Sequence, residues 1–544
     1  MNYLDTHQTF FGRDDILGVL NRRVSDLKEG YRQNVALLGG RFVGKSSILV
    51  RFAQNLDDDL TVVYLDLENR ELDYFLKKFI GSLLYNYAKS KHLPLHDEID
   101  VLLESVKDTL PHTVSVVHKI LKDYKAGKLS AAFQGVMALP EVYSNETGKF
   151  CILIIDEFQY INDYYVHQAF QVLGKKIMTQ KRCLYICASS QPQEAARILG
   201  EKLSLLFGNF EILTVEPFDS LTSQNYIGQR LQELKIGAGL KSFLTDFTGG
   251  HPLYLDLICR ELISQSAIHQ QSEVYLPLLS LAVENTIFDR WGVLSRHFEL
   301  LINELCAPKD ARLVSEVLIS LANAHLKLDE IAGDTNIRRQ SLSVKIKALI
   351  ERGIVFKNGK FHYFSDKLFK YWIKYVFQKR LKDIELSPDR QRLMFKEEFQ
   401  RHVENFKVST RQDFSSRIVE LLHCFGNECF QLNGRKYRLP AFREIVPFKL
   451  RQENGIYSDF IKAKTDDAIW IIIMKKDSLS EQELRSIMQE ARKIESRPEQ
   501  CLIISLRELD DATRLKALQE RFWIWNEGEL NTLMTFFDKP YILR

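Results

Sequence analysis

Residues 34 to 52 constrain this chain most. A short apolar run, Asn34-Val35-Ala36-Leu37-Leu38, passes through Gly39-Gly40-Arg41-Phe42-Val43-Gly44-Lys45-Ser46 into Ser47-Ile48-Leu49-Val50-Arg51-Phe52. The run is strand-sized and the residues after it continue as a helix, so the glycines must carry a tight strand-to-helix turn. The spacing G-x-x-x-x-G-K-[ST] makes that turn a phosphate-binding loop. Backbone N–H groups from Gly39 to Ser47 face an anion at a helix N-terminus, Lys45 reaches the outer phosphates and Ser46 ligates Mg²⁺. The alternative is a Gly-rich turn that fits the pattern by chance.

The first 220 or so residues keep this alternation of short strands and helices, which predicts an α/β fold on a parallel sheet. Further strands are expected at Thr61–Leu67, Phe150–Ile155, Cys183–Ala188 and Phe210–Val215, with a largely helical stretch from Leu72 to about Glu141. The third strand runs straight into Asp156-Glu157. Asp156 would hold Mg²⁺ through water and Glu157 would polarise an attacking water, whereas a solvated strand-end pair is the bland reading. The fourth strand ends in Ser189-Ser190-Gln191. A γ-phosphate sensor would sit there, and an ordinary Ser-rich turn fits as well.

Three segments then carry a resemblance: Phe10-Phe11-Gly12-Arg13-Asp14-Asp15-Ile16-Leu17, Asp156-Glu157-Phe158-Gln159 and Thr248-Gly249-Gly250-His251-Pro252-Leu253-Tyr254. Together they resemble the signatures of the archaeal-type ATPases within the STAND/AAA+ P-loop NTPases, over residues 1 to about 300. The resemblance implies an ATPase core over 1–220 and a helical lid over 221–300, with ATP and Mg²⁺ as ligands. It implies catalytic roles for Lys45 and Glu157, metal contacts from Ser46 and Asp156, and nucleotide contacts from Gly12, Arg13 and Pro252 beside the loop. One departure is Leu206-Phe207-Gly208-Asn209-Phe210, with Asn209 where relatives commonly carry arginine. Asparagine cannot supply positive charge to a transferring phosphoryl group. Arg197 or Lys202 would have to substitute, or turnover is slow. The expectation is a slowly hydrolysing molecular switch; a nucleotide-stabilised adaptor that never hydrolyses is an alternative.

Residues 301–382 read differently. Leu313–Leu326, Leu328–Gly333 and Arg338–Arg352 predict three helices, and Val355 to Tyr363 predicts a hairpin with an Asn358-Gly359 turn. That order is a winged helix. Thirteen Lys or Arg between Arg338 and Lys382 face only Glu351 and Asp366. Leu342, Ile346, Leu349 and Ile350 make an apolar face on the third helix. Arg338, Arg339, Gln340, Ser343 and Lys347 are then candidate contacts to double-stranded DNA, with Lys357 and Lys360 at the wing. A solvated basic face, or a surface for a protein partner or a homo-oligomer, is the other reading.

Residues 383–398, containing Leu386-Ser387-Pro388-Asp389, read as a linker, and 399–544 as a last α/β module. Its strands are expected at Tyr457–Ile461, Ala468–Met474 and Gln500–Ser505, its helices at Phe414–Phe425 and Ser480–Glu495. The order resembles the restriction-endonuclease-like PD-(D/E)XK fold, which needs an Asp, then Glu-x-Lys on the next strand. Asp459 and Lys475 suit two positions, but Ile473 stands where a metal-binding acid is required. A migrated ligand, Asp477 or Glu483, would rescue the site, with Glu420 available on the preceding helix. The expectation is a degenerate nuclease module; an ATP-regulated metal-dependent DNA nuclease is the alternative.

A length of 544 residues suits three or four domains at about 150 residues each. The net charge of +3 leaves only local asymmetry informative. The eight cysteines include no C-x-x-C pair, and several lie in apolar strands, which suits reduced thiols in a cytoplasmic protein. Cys424 and Cys429 lack the second ligand pair of a zinc site. The start of the chain has no signal-like pattern, and no apolar run reaches the ~18 residues of a membrane span.

Overall fold

The structure, a computed structural model, describes residues 10–542 except 58, 68–70, 204–207, 209, 306–309, 383–386, 433, 452–456, 478, 495–497 and 508. The chain divides into two compact units, Met1–Pro217 and Phe218–Arg544.

In the first unit, β1 (Asn34–Gly39), β2 (Leu60–Asp66), β3 (Phe150–Asp156), β4 (Cys183–Ser189) and β5 (Phe210–Val215) form a parallel sheet in the order β2-β3-β4-β1-β5. A parallel sheet is covered on both faces, so its central strands β1, β3 and β4 are buried nearly throughout, while the edge strand β5 is partly open. Val35, Leu37, Ile152, Ile154, Leu184 and Ile186 join one core with residues of the helices Asp14–Lys28 and Lys45–Gln54. The alternate residues Ala36, Leu38, Leu153, Ile155, Tyr185 and Cys187 join another with the helices Leu72–Ser90, Leu129–Thr147 and Ala169–Thr179. Because β4 lies between β1 and β3, the carboxyl ends of the three strands meet side by side. That edge is where open α/β sheets bind ligands.

The second unit begins with helices, among them Ser220–Arg230, Ala238–Thr248 and Pro252–Ile268. The expectation of a purely helical stretch needs one correction: β6 (Lys235–Ile236) and β7 (Glu273–Val274) pair in parallel. Gly250 has φ 71°, and a Cβ there would lie 2.1 Å from the Phe218 carbonyl oxygen, so only glycine fits. Helices Ala311–Ala322, Leu328–Thr335 and Arg339–Glu351 precede an antiparallel hairpin of β8 (Val355–Asn358) and β9 (Phe361–Phe364).

The expected linker is a second correction. Residues 388–398 belong to a 24-residue helix, Pro388–Arg411, with Ser387 at its N-cap and Pro388 in its first turn. It buries Phe395, Phe399, Val403 and Phe406, and Phe399 and Phe406 meet Phe243 edge-on at 5.6 and 5.5 Å. Residues 383–386 lie outside the described residues. After the helix Phe414–His423 come a hairpin of β10 (Glu428–Leu432) and β11 (Arg435–Leu439), then β12 (Glu444–Arg451), β13 (Tyr457–Lys464), β14 (Ile469–Lys475), β15 (Gln500–Ser505) and β16 (Trp523–Trp525). The last five form a sheet in chain order, antiparallel from β12 to β14 and parallel from β14 to β16. The sequence reading did not anticipate β10, β11, β12 or β16.

Among the described residues Cys151, Cys183, Cys187 and Cys259 are buried free thiols, Cys424 is half-buried and Cys429 exposed. No described helix is long and apolar enough to cross a membrane.

Candidate functional site

The glycine loop leaves β1 where Gly39 pairs with Val215 of β5. A Cβ on Gly39 would lie 2.3 Å from the Val215 carbonyl oxygen, so the sheet requires glycine there. Gly44, at φ 101°, is the left-handed residue that starts the helix Lys45–Gln54. Val43 anchors the loop in the core, whereas Gly40, Arg41, Phe42, Ser46 and Ser47 are exposed along it. Lys45 folds back beneath them. Its Nζ donates to the Gly39 and Gly40 carbonyls at 3.1 and 2.6 Å, and the residue is only 5% exposed. Burial lowers the Lys45 pKa, while Glu157 and Asp156 act to raise it.

Asp156 ends β3 beside this lysine. Its Oδ2 accepts from Ser46 Oγ at 2.6 Å and from Tyr64 Oη at 2.9 Å. Burial pushes its carboxyl above the usual range, and the Ser46 hydrogen bond pulls the other way. Glu157 follows in a left-handed conformation, φ 55°. Its Oε2 accepts three hydrogen bonds: Gln159 Nε2 at 2.6 Å, Ser190 Oγ at 2.7 Å and Ser190 N at 3.0 Å. The two acids are thus held differently, Asp156 against the loop serine and Glu157 against the end of β4. Sequence reasoning missed Tyr64, and it gave Gln159 no role. Ser190 was weighed as part of a phosphate sensor or of an ordinary Ser-rich turn; its contact with Glu157 depends on β3 and β4 being neighbours.

Gly12 and Arg13 both have positive φ, 64° and 70°. The Arg13 guanidinium donates to the Val43 carbonyl at 3.3 Å and to the Glu216 carbonyl, so the Gly-Arg opening braces the loop against the chain leaving β5. Arg197 is paired with Glu194 at 2.6 Å, and Lys202 donates to Asn162 at 2.9 Å. Asn209 lies outside the described residues. Pro252 starts the helix Pro252–Ile268 in the second unit, next to His251, whose ring stacks on Tyr254 at 4.0 Å.

Arg338, Arg339, Gln340, Ser343 and Lys347 are exposed; on their helix Leu342, Ile346 and Leu349 are buried and Ile350 half-buried. Arg339 pairs with Asp329 at 3.0 Å and Lys347 with Glu351 at 3.8 Å. The basic segment is not a single free patch. Lys367 pairs with buried Asp246 at 2.5 Å, Lys370 with Asp538 at 2.8 Å and Arg380 with Glu299. Lys357 and Lys360 are exposed.

Asp459 and Lys475 do not share a metal-binding cluster. Asp459 pairs with Lys449 at 3.5 Å, and Lys475 with Glu483 at 3.2 Å. Ile473 is fully buried. Asp477 lies 4.0 Å from Arg507, and Glu420 pairs with Lys539 at 3.3 Å. Among the described residues no group of three or more His, Cys, Asp or Glu could hold a metal ion.

Residues 10–258 match the family described as an ATPase domain predominantly from Archaea. No curated protein sequence matches the chain significantly. Similar solved structures include a Walker-type ATPase of Pyrococcus abyssi, 14% identical, covering 68% of this chain and 97% of that one with a TM-score of 0.49. The Aeropyrum pernix ORC2 protein is 11% identical, with 73% and 96% covered and a TM-score of 0.43. The Thermotoga maritima RuvB Holliday junction branch migration motor is 13% identical, with 67% and 96% covered and a TM-score of 0.34. Residues 10–258 are thus similar to an ATPase domain predominantly from Archaea, and the five-stranded parallel sheet with its glycine loop lies within them.

Proposed function

We propose that the chain is a STAND/AAA+-type switch that binds Mg²⁺–ATP at Gly39–Ser46 and hydrolyses it slowly. The observation that carries this reading is the convergence of Lys45, Ser46, Asp156 and Glu157 at one edge of the sheet. The residues suit the ligand: a glycine cradle opens a helix, a buried ammonium lies under it, and a hydroxyl stands 2.6 Å from a carboxylate. Ser46 and Asp156 would hold Mg²⁺, which supplies charge neutralisation at the phosphates. Lys45 would exchange its carbonyl partners for phosphate oxygens, and Glu157 would orient the attacking water and take its proton. Gly12, Arg13 and Pro252 are assigned to the nucleotide's surroundings by resemblance alone.

In the same reading residues 301–382 are a winged helix that meets DNA or a protein partner, and 399–544 are a nuclease-like module that no longer cuts. The buried Ile473 and the lysine-bound Glu483 support that loss. Nucleotide state would act on these parts only through contacts that differ between states. The test is ATP binding and turnover by wild type, Lys45→Ala and Glu157→Gln, with and without duplex DNA. Lys45→Ala should lose binding, and Glu157→Gln should bind without turnover. Wild type that binds no nucleotide overturns the proposal.

A further inference from the structure

The tip of the β8–β9 hairpin does not end in solvent. Asn358 Nδ2 donates to the Gln431 carbonyl at 2.6 Å, and Gln431 N donates back to Asn358 Oδ1 at 2.5 Å. Gly359, at φ 61°, approaches so closely that a Cβ would lie 1.8 Å from the Cys429 carbonyl oxygen. Phe361 stacks on Phe536 at 5.0 Å. The tip is therefore seated on β10 in a fixed geometry. Across the β10–β11 ladder, Gln431 faces Lys436 and Cys429 faces Arg438. Strands lie about 5 Å apart, so those two cations stand on the order of 10 Å from the tip backbone.

The β10–β11 hairpin alternates cleanly: Phe430, Leu432, Tyr437 and Leu439 are buried, while Cys429, Gln431, Lys436 and Arg438 are exposed. Lys436 and Arg438 thus share the outer face, while Arg435, in the register of Tyr437 and Leu439, is exposed at the start of β11. Charge sorts the neighbourhood further. Lys327 pairs with Glu428, Lys345 with Asp310, Lys449 with Asp459 and Lys464 with Glu444. Among the described residues, no carboxylate lies within ion-pair distance of Lys357, Lys360, Lys436 or Arg438; Arg438 Nε donates to neutral Asn427 Oδ1 at 2.8 Å. Exposed cations without a carboxylate partner repel one another, and a polyanion with closely spaced charges relieves that repulsion.

We propose that Lys357 and Lys360 of the β8–β9 tip and Lys436 and Arg438 of β11 form one composite surface for the phosphate backbone of duplex DNA. This rests on the reading that the 301–382 segment meets DNA. It assigns the nuclease-like module a share of the phosphate contacts, and it gives the paired cations Arg339 and Lys347 a smaller share than the sequence suggests.

The test measures affinity of the full chain for a labelled DNA duplex across a salt series. Variants are Lys436→Gln/Arg438→Gln, Lys357→Gln/Lys360→Gln and Lys347→Gln, each checked for unchanged thermal unfolding. Each phosphate contact contributes about 0.9 to the slope of log affinity against log salt. Both double variants should therefore flatten that slope by about 2 and weaken binding roughly tenfold or more, while Lys347→Gln changes it by less than about 1. If the β8–β9 variant flattens the slope and the β11 variant does not, the composite surface is overturned and the DNA reading stands. If wild type binds no duplex DNA, both fall. Equal slopes with anionic vesicles but not with DNA overturn the assignment of the partner.

Discussion

Gly39→Ala isolates what the sheet demands of the glycine loop. The added Cβ would stand 2.3 Å from the Val215 carbonyl oxygen and 3.1 Å from the Cβ of Val215 and from Cγ2 of Val43. An ordinary contact is about 3.5 Å, so the β1–β5 ladder must open by about 1 Å at its last pair. Overpacking of this kind costs about 1–3 kcal/mol. In a unit the size of Met1–Pro217 each kcal/mol moves Tm by about 2–4 °C, so the expected loss is about 2–12 °C. Gly40→Ala is the matched control: its nearest neighbour would be Val43 Cγ1 at 3.7 Å, an ordinary contact. Thermal unfolding without nucleotide should therefore separate the two, with Gly40→Ala within about 1 °C of wild type. Nucleotide binding should fall in Gly39→Ala as well, because the Gly39 and Gly40 carbonyls that seat Lys45 move with the ladder. Equal Tm values for the two variants would refute the steric argument.

Two further outcomes follow from polar contacts. Ser190→Ala removes one of the three donors on Glu157 Oε2; a hydrogen bond to a charged group is worth about 1.5–3 kcal/mol. If Ser190 sets the position of the base, kcat should fall about tenfold or more with ATP affinity unchanged, and Ser190→Thr should restore it; an unchanged kcat removes Ser190 from that role. Asp246→Asn leaves the Lys367 ammonium buried without its partner and should cost about 3–5 kcal/mol in denaturant unfolding at pH 8. Burial is the largest influence on Lys367 and would lower its pKa, but Asp246 together with Tyr541 and Asp538 outweighs it and the net shift is upward from 10.5. The pair's stabilisation should then be complete below pH 10.5 and fade as pH rises through the folded value, a fade absent from Asp246→Asn. A loss under 1 kcal/mol at pH 8 would sink this account.

The strands of the first unit were legible because a parallel sheet buried on both faces writes itself as bare apolar runs, and the loop motif fixed which run comes first. The Ser190–Glu157 contact was not, because it depends on β4 lying beside β3, which no local pattern encodes. The sequence Leu386-Ser387-Pro388-Asp389 was misread as a linker because a proline that breaks one element also suits the first turn of the next, as it does here. Pro447 hid β12: proline argues against a central strand, yet β12 is an edge strand, where a missing N–H is tolerated. The cation count over 338–382 overstated the free charge, since Asp246, Asp538 and Glu299 lie far away in sequence and close in space.

The seating of the β8–β9 tip on β10 also bears on how the second unit comes apart. A two-stranded hairpin is marginal alone, and here the two hairpins meet at Asn358 and Gln431, with Phe361 of β9 stacked on Phe536 of the helix Glu527–Phe536 and Glu428 of β10 paired with Lys327. The helix Pro388–Arg411 adds a second clasp through Phe399 and Phe406 on Phe243. A protease cutting just ahead of Pro388 would sever the peptide without releasing a domain. The two fragments would stay together, melt together, and part only in denaturant.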